Sequence, residues 1–186
     1  MTIAIVIPTL NEGASIGPTL RAVAELDGIS EVIVTDGGSQ DDTVEIARQL
    51  GARVLITQLG RGAQMHAGAL ATHADVLWFL HADTVPPRNA IASITAALSN
   101  PGVVGGNFGL RFDGGRRAAR FMTRLYPHLR KLGLRYGDSG IFVRRSAYQE
   151  AGGFQAFPIF EDLDLIRRLR RIGPLVCAPG FVVTSS

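Results

Sequence analysis

The sequence contains little cysteine, few aromatic residues and no long apolar run. Cys177 is the only cysteine, which excludes an intrachain disulfide and a cysteine-cluster metal site. The densest apolar run, residues 76–80, is far shorter than the roughly 20 residues that a membrane-spanning helix needs. The sequence therefore predicts a soluble globular domain of 186 residues, in which any metal is held by oxygen or imidazole.

The amino terminus also lacks the features of a secretory signal. No basic segment precedes the apolar residues 1–7, Asn11 and Glu12 interrupt the apolar stretch, and no small-residue cleavage site follows. We interpret this segment as the first buried strand of a cytoplasmic protein.

Charge is distributed unevenly along the chain. Residues 1–110 carry 5 basic and 10 acidic side chains, whereas residues 111–186 carry 14 basic and 6 acidic ones. This asymmetry indicates a polyanion, an anionic membrane surface or an anionic small ligand as partner. Nucleic acid is disfavoured, because aromatic residues make up only 7% of the chain and no nucleic-acid-binding motif is present.

Strand-like apolar runs alternate with segments of helical periodicity through the first hundred residues. This rhythm predicts an α/β fold, a three-layer sandwich with a mostly parallel central sheet. The predicted strands are residues 2–8, 31–35, 53–57, 75–80, 103–112, 136–144 and 175–183. The predicted helices are residues 15–25, 39–50, 62–72, 87–98, 115–131 and 160–172. We expect Ser15 to cap the first helix, Ser39 to open the second, and the small residues of 62–72 to pack closely on the sheet.

Polar residues follow three of the predicted strands. They form the groups Pro8-Thr9-Leu10-Asn11-Glu12, Asp36-Gly37-Gly38-Ser39 and His81-Ala82-Asp83. Either Asp36 or Asp83 alone is better explained as a turn or cap residue. Because ligands of parallel α/β sheets bind beyond the carboxyl ends of the strands, three such strand ends together favour one binding crevice.

His81 and Asp83 are potential metal ligands at the end of one strand. Oxygen ligands suit Mg²⁺ or Mn²⁺, and the imidazole favours Mn²⁺. The alternative is structural, with His81 partly buried and Asp83 capping the following turn.

Two further motifs have a structural and a functional interpretation. Glu161, Asp162 and Asp164 lie in the first turn of a predicted helix, where the helix dipole favours acids, yet Asp162 is also placed to act as a general base. The segment Gly60-Arg61-Gly62 lacks the spacings of dinucleotide and P-loop motifs, but Arg61 is suited to contact an anion at a helix start.

Taken together, these motifs resemble the family-2 glycosyltransferases in order and spacing over nearly the whole chain. That resemblance implies the GT-A fold and a nucleotide-diphospho-sugar donor. The motifs Asp-Gly-Gly-Ser and Leu-His-Ala-Asp-Thr, with Gly137-Asp138-Ser139-Gly140, are most similar to a small bacterial subgroup linked to arsenosugar biosynthesis. The chain has no repeat, low-complexity segment or linker, so we expect its two charge halves to be two lobes of a single domain. In view of the resemblance, these are a nucleotide-sugar-binding lobe at 1–110 and an acceptor-side lobe at 111–186.

The resemblance assigns roles to individual residues. Asp83 matches the metal-binding aspartate of the family's D-x-D motif, His81 takes the place of its first aspartate, and Asp162 matches the catalytic base. The residues implied in substrate binding are Pro8, Thr9, Asn11, Glu12, Asp36, Gly37, Arg61, Asp138, Ser139 and Glu161. The predicted cofactor is accordingly Mn²⁺ or Mg²⁺.

We therefore predict a metal-assisted, inverting glycosyltransferase that moves a sugar to a hydroxyl acceptor. Two alternatives remain: a catalytically inactive sugar-nucleotide-binding module, and a nucleotidyltransferase, which would have a glycine-rich loop where Leu10-Asn11-Glu12 stands. The arginines of the predicted helix 115–131 leave open peripheral contact with an anionic membrane, although packing of its apolar side on the sheet or on a second copy of the chain is favoured.

Overall fold

The computed structural model describes residues 1–113, 139–155 and 160–185, which form eight strands and six helices. The strands are β1 (Ile3–Thr9), β2 (Ile29–Asp36), β3 (Arg53–Ile56), β4 (Val76–Phe79), β5 (Thr84–Val85), β6 (Gly105–Asp113), β7 (Phe142–Arg144) and β8 (Leu175–Ser185). The helices are α1 (Gly13–Ala24), α2 (Thr43–Gln49), α3 (Arg61–Leu70), α4 (Ala90–Ala97), α5 (Arg145–Glu150) and α6 (Glu161–Ile172). The predicted helix 115–131 lies outside the described residues.

All eight strands belong to one mixed sheet in the order β3-β2-β1-β4-β7-β6-β8-β5. Strands β1 to β4 run parallel, β7 is antiparallel to both of its neighbours, and β8 is parallel to β6 but antiparallel to β5. The parallel arrangement of β1, β2 and β4 brings their carboxyl ends to the same edge of the sheet, as the sequence predicted.

Alternating side chains of the strands feed two separate hydrophobic cores. Ile3, Ile5 and Ile7 of β1 pack with α1, α2 and α4 on one face of the sheet. Val6 packs on the other face with residues of α3, α5 and α6. Because successive strand residues point to opposite faces, this arrangement confirms the three-layer sandwich.

Helix α3 lies unusually close to the sheet because it has no side chain at Gly68. A Cβ at this position would lie 2.4 Å from Cγ1 of Val6 and 3.0 Å from Cγ2 of Thr35. The prediction that a helix rich in small residues packs closely on the sheet is confirmed. This close approach brings the first turn of α3 to the carboxyl edge of β1 and β2.

The structure corrects two predicted caps and adds two elements. Helix α1 begins at Gly13, so Ser15 lies inside the helix, and the Gly13 N–H donates to Oδ2 of Asp41 at 2.9 Å. Helix α2 begins at Thr43, and the Ser39 hydroxyl donates to Asp36. Both caps were predicted from the local sequence, whereas in the structure Asn11 and Gly13 of the first loop bond to Ser39 and Asp41 of the second. Strand β5 and helix α5 were not predicted.

None of the helices in the described part of the chain has both the length and the apolar character needed to cross a bilayer.

We predict that Gly68→Ala lowers the free energy of unfolding by about 1–3 kcal/mol, because the added methyl group forces α3 away from β1. Gly17→Ala is the matched control, since its Cβ would meet only the flexible end of Arg21 at 3.3 Å and Ile46 at 3.6 Å. Gly17→Ala should leave stability unchanged or raise it by up to about 1 kcal/mol. Urea unfolding of both variants measures this, and equal effects would contradict the close-packing argument.

Candidate functional site

A cleft of about 310 Å³ opens at the carboxyl edge of the parallel strands. Its walls come from the segments that follow β1 and β4 and from the start of α3. The residues that line it are Pro8, Thr9, Leu10, Glu12, Leu59, Gly60, Arg61, Gln64, His81, Ala82 and Asp83. Six of the thirteen predicted site residues are therefore brought to one cavity: Pro8, Thr9, Glu12, Arg61, His81 and Asp83.

Asp36 lies beneath this cleft as a fully buried carboxylate. Oδ2 accepts hydrogen bonds from the hydroxyls of Thr9 at 2.9 Å and Ser39 at 2.5 Å, and Oδ1 accepts from the backbone N–H groups of Gly38 and Ser39. Burial raises the pKa of Asp36, but these hydrogen bonds outweigh it and hold the pKa below the ordinary value of 3.8. These four donors use the roughly four lone-pair positions of the Asp36 carboxylate, which the family resemblance implied in substrate binding.

The loop after β2 also holds the loop after β1. The Asn11 N–H donates to Oγ of Ser39 at 2.7 Å, and Oδ1 of Asn11 accepts from the Gln40 N–H at 2.8 Å. Asn11 has a positive φ of 55°, a conformation that asparagine tolerates better than most residues. The side chain of Asn11 therefore joins two loops, which shapes the rim of the cleft.

Gln64 is a site residue that the sequence analysis missed. Its Nε2 donates to the carbonyl oxygens of Thr9 at 2.7 Å and Thr35 at 2.8 Å, and Gln64 is itself buried. The Gly37 N–H donates to the same Thr9 carbonyl at 2.9 Å. Because Gln64 and Gly68 are four residues apart in a helix and share its sheet-facing side, a polar residue at position 64 was the signal available.

His81 and Asp83 follow β4 on the opposite wall of the cleft. Oδ2 of Asp83 accepts a hydrogen bond from the Thr184 hydroxyl of β8 at 3.1 Å, and Oδ1 accepts from the Thr84 hydroxyl at 3.2 Å. Within the described ranges, no cluster of three or more histidine, cysteine, aspartate or glutamate side chains is placed to hold a metal. Two ligands suit a Mg²⁺ or Mn²⁺ ion that completes its coordination with phosphate oxygens and water.

Asp83 also borders a second cleft, of about 240 Å³, on the side of α1 and β8. This cleft is lined by Ala14, Ser15, Pro18, Thr19, Asp83, Val85, Asp113, Val183 and Thr184. Asp83 therefore forms part of the wall between the two cavities. A further cleft of about 310 Å³, beside Leu26 and Leu50, lies at the other edge of the sheet, away from these polar groups.

Arg61 joins the cleft to the first turn of α6. Its Nε donates to Oε1 of Glu161, and its Nη2 lies 3.8 Å from Oδ2 of Asp162. Glu161 and Asp162 are both buried, whereas the Arg61 side chain is 45% exposed. Phe160 precedes them with a positive φ of 66°, which costs about 1–2 kcal/mol for such a residue. This turn places the two acids side by side against Arg61.

A buried tyrosine supports the loop that reaches α3 next to Arg61. The Tyr148 hydroxyl accepts a hydrogen bond from the Phe154 N–H at 3.0 Å and lies 2.9 Å from Nδ1 of His66. Burial raises the pKa of Tyr148 to about 12, so the hydroxyl stays protonated. The carbonyl oxygen of Gln155, the next residue, lies close to Gly62 of α3.

The predicted acceptor-side residues are placed differently. Ser139 is fully buried, and its hydroxyl accepts a hydrogen bond from Nδ2 of Asn107 at 3.0 Å. In the structure Ser139 is therefore a bonded core residue and is absent from the described lining of both clefts. Asp138 lies outside the described residues.

We predict that Asp36→Asn lowers the free energy of unfolding by about 1–3 kcal/mol at pH 7, because an amide cannot accept from all four donors. The pKa of Asp36 is lowered by folding, so its stabilisation is present above pH 3.8 and is lost as the pH falls toward the folded-state pKa. The difference between wild type and variant should therefore shrink at pH 3.

Urea unfolding at pH 7 and pH 3 measures both quantities, with the exposed loop residue Asp27→Asn as the control, expected within about 0.5 kcal/mol of wild type. A difference as large at pH 3 as at pH 7 would contradict the role of the Asp36 charge.

Chemically, the cleft combines one guanidinium, two carboxylates, one imidazole and a buried pair of acids behind the guanidinium. Such a set can bind an anionic group through Arg61, hold a divalent cation through His81 and Asp83, and supply a carboxylate to accept a proton. The acids Glu12 and Asp83 oppose an anionic ligand unless a cation accompanies it.

Sequence comparison finds related glycosyltransferases. The glycosyltransferase AglE of Haloferax volcanii is 29% identical over 168 residues, which cover 82% of this chain and 55% of AglE. The glucosyl-3-phosphoglycerate synthase of Mycobacterium tuberculosis is 35% identical over 98 residues, covering 47% of this chain and 30% of the synthase. The chain thus spans about half or less of the length of these relatives.

The crystal structure of the mycobacterial synthase with Mn²⁺, uridine diphosphate (UDP) and glucosyl-3-phosphoglycerate superimposes with a TM-score of 0.70 at 25% identity. The match covers 99% of this chain and 70% of the synthase and confirms the GT-A type of α/β fold. The Glycosyl transferase family 2 model matches residues 4–151, which is most of the sequence. With the cleft at the same edge that the strand-end motifs predicted, this chain belongs to glycosyl transferase family 2.

Proposed function

We propose that this chain is an inverting glycosyltransferase that moves a sugar from a nucleoside-diphospho-sugar to a hydroxyl acceptor with the help of a divalent cation. One observation carries the proposal. A single cleft collects the ends of β1 and β4, the guanidinium of Arg61 and, through Arg61, the acids Glu161 and Asp162. These groups suit the binding of a diphosphate with its cation, and they include a carboxylate that can accept a proton.

The charges of the cleft support a diphosphate donor that binds together with a metal ion. Arg61 is the cationic side chain among the described lining residues, and Glu12 and Asp83 repel a diphosphate that arrives without a cation. His81 and Asp83 would hold that cation, which when bound would stabilise the charge that develops on the leaving diphosphate. The Mn²⁺ and UDP bound by the mycobacterial synthase support this assignment by homology.

Asp162 is the proposed general base. Its carboxylate removes the proton from the acceptor hydroxyl as that oxygen attacks the anomeric carbon of the donor sugar, on the side opposite the diphosphate. The bond to the diphosphate breaks as the new glycosidic bond forms, so the configuration inverts and one base suffices. Thr9, Glu12 and the loop held by Asn11 would line the nucleoside portion of the cleft.

Several narrower assignments are also proposals. They are the arsenosugar-associated subgroup, the cytoplasmic location, the division into donor and acceptor lobes at residue 110, and contact with a membrane surface or a second copy through residues 115–131. The alternatives to a glycosyltransferase are a nucleotidyltransferase and an inactive sugar-nucleotide-binding module. Slow release of UDP from UDP-glucose in water separates an active enzyme from an inactive module.

A thermal-shift screen tests the donor and metal assignments together. UDP-, GDP- and dTDP-sugars are added with Mn²⁺ or with EDTA, and a ligand at a hundredfold excess over Kd should raise Tm by roughly 5–10 °C. Asp83→Ala should abolish the Mn²⁺-dependent part of the shift, and His81→Ala should reduce it less. Asp75→Ala, at the amino end of β4, is the control and should retain the metal dependence.

If none of these donors shifts wild type, the proposed function is wrong. A full Mn²⁺-dependent shift in Asp83→Ala would show that the metal is held elsewhere.

Asp162→Asn should keep donor binding and lower turnover by about 10²–10⁴, because an amide has a similar shape but does not accept the proton. The measurement is single-turnover release of UDP from UDP-glucose, with donor binding followed by calorimetry. Asp164→Asn is the matched control in the same helical turn, since Asp164 pairs with Arg168 at 2.6 Å. Turnover of Asp162→Asn within a few-fold of wild type would exclude Asp162 as the base.

A further inference from the structure

Glu161 and Arg61 form an ion pair between a buried acid and a residue of the cleft wall. The Glu161 side chain is 2% exposed, and its Oε1 accepts a hydrogen bond from Nε of Arg61. Arg61 is 45% exposed and lines the cleft. One edge of the guanidinium is thus held by the protein interior, while the side chain as a whole remains accessible to a ligand.

The backbone fixes the position of both partners. A Cβ at Gly62 would lie 2.8 Å from the carbonyl oxygen of Gln155 and 3.4 Å from Cβ of Glu161, so the starts of α3 and α6 are in direct contact. Phe160, in its left-handed conformation, immediately precedes α6 at this point. The two helix starts therefore pack against each other where Arg61 bonds to Glu161.

Charge compensation favours this pairing. A buried carboxylate is costly unless a cation and hydrogen bonds compensate it, and Arg61 provides both for Glu161. Ordering a long side chain costs conformational entropy, and here that cost is met when the protein folds and not when a ligand binds. A ligand therefore meets a guanidinium that is already in place.

We infer that Glu161 is a positioning residue that acts on the donor through Arg61. It fixes the Nε edge of the guanidinium, so that the diphosphate of the donor meets a half-exposed Arg61 side chain in a set orientation, while Nη2 stays 3.8 Å from Oδ2 of Asp162. Glu161 then contacts no substrate itself, unlike the direct contact that the family resemblance implied. The inference rests on the proposed function, because it takes a nucleoside diphosphate as the ligand.

This arrangement specifically requires arginine at position 61. A lysine has a single terminal ammonium, which cannot bind Glu161 through one edge and present a separate edge to a diphosphate. The guanidinium also places the diphosphate and Asp162 on a common partner. Glu161 thereby fixes the donor site relative to the proposed base.

A double-mutant cycle tests the inference. Calorimetry measures the dissociation constant of UDP with Mn²⁺ for wild type, Glu161→Ala, Arg61→Ala and the double variant. GDP or dTDP replaces UDP if it binds wild type more tightly. Glu161→Ala should weaken binding roughly three- to tenfold, the cost of ordering one long side chain on binding. In the Arg61→Ala background, the same substitution should change Kd by less than about twofold.

Thermal unfolding of every variant establishes that it is folded. Arg61→Ala leaves the Glu161 charge uncompensated. If the Arg61→Ala variant does not fold, Arg61→Lys replaces it in the cycle, and Glu161→Ala is again expected to weaken binding less in that background than in wild type. Asp164→Asn removes another acid of the same helical turn and should leave Kd unchanged.

Equal weakening by Glu161→Ala in both backgrounds would overturn the inference, because Glu161 would then act independently of Arg61. Unchanged or tighter binding in Glu161→Ala would also overturn it, the latter by showing that Glu161 competes with the ligand for Arg61. If wild type binds none of the three nucleoside diphosphates, the proposed function fails and the inference fails with it. Binding by wild type with an additive cycle overturns the inference alone.

Discussion

The buried carboxylate of Asp36 is the interaction on which the mouth of the cleft depends. It accepts hydrogen bonds from the end of β1 through Thr9 and from the loop after β2 through Gly38 and Ser39. Ser39 in turn accepts from the backbone of Asn11. A single buried charge therefore holds these two loops together. Gly38, with a φ of 98°, makes the turn that brings both N–H groups to one oxygen.

Close packing performs the corresponding task for helix α3. Gly68 lets the helix approach β1 and β2, and Gln64 on the same side bonds to the carbonyl oxygens of Thr9 and Thr35 where these strands end. Gly62 lets the first turn of the same helix contact the start of α6. Arg61 therefore lies between the sheet edge and the acids of α6, because α3 has glycine at two close contacts and a bridging glutamine between them.

The charges of the cleft bear on the ligands that the proposed function assigns to it. The cleft carries acids on both sides, at Glu12 and Asp83, with Arg61 between the cavity and two further buried acids. In a site with this charge, an anion binds best when it brings a cation. A neutral hydroxyl compound, by contrast, meets carboxylates that accept hydrogen bonds. This division of charge fits a reaction between a metal-bound diphosphate donor and a hydroxyl acceptor.

The sequence by itself determined the layered α/β fold and the edge of the sheet at which the polar groups gather. Hydrophobic periodicity and parallel strand order are local or repetitive properties, so Thr9, Asp36 and Asp83 could be placed at neighbouring strand ends without coordinates. The tertiary structure decided which of these groups face the cleft and which form hydrogen bonds inside the protein.

Asp36 and Ser139 form hydrogen bonds inside the protein, and the buried Gln64 joins the ends of β1 and β2. The sequence could not show this, because the partners of all three belong to other elements of the fold. The pairing of Arg61 with Glu161, a hundred positions away, likewise required the contact between two helix starts. Sequence patterns report the character of each residue, whereas partners distant in the chain are fixed only when the packed helices and sheet bring them within hydrogen-bonding distance.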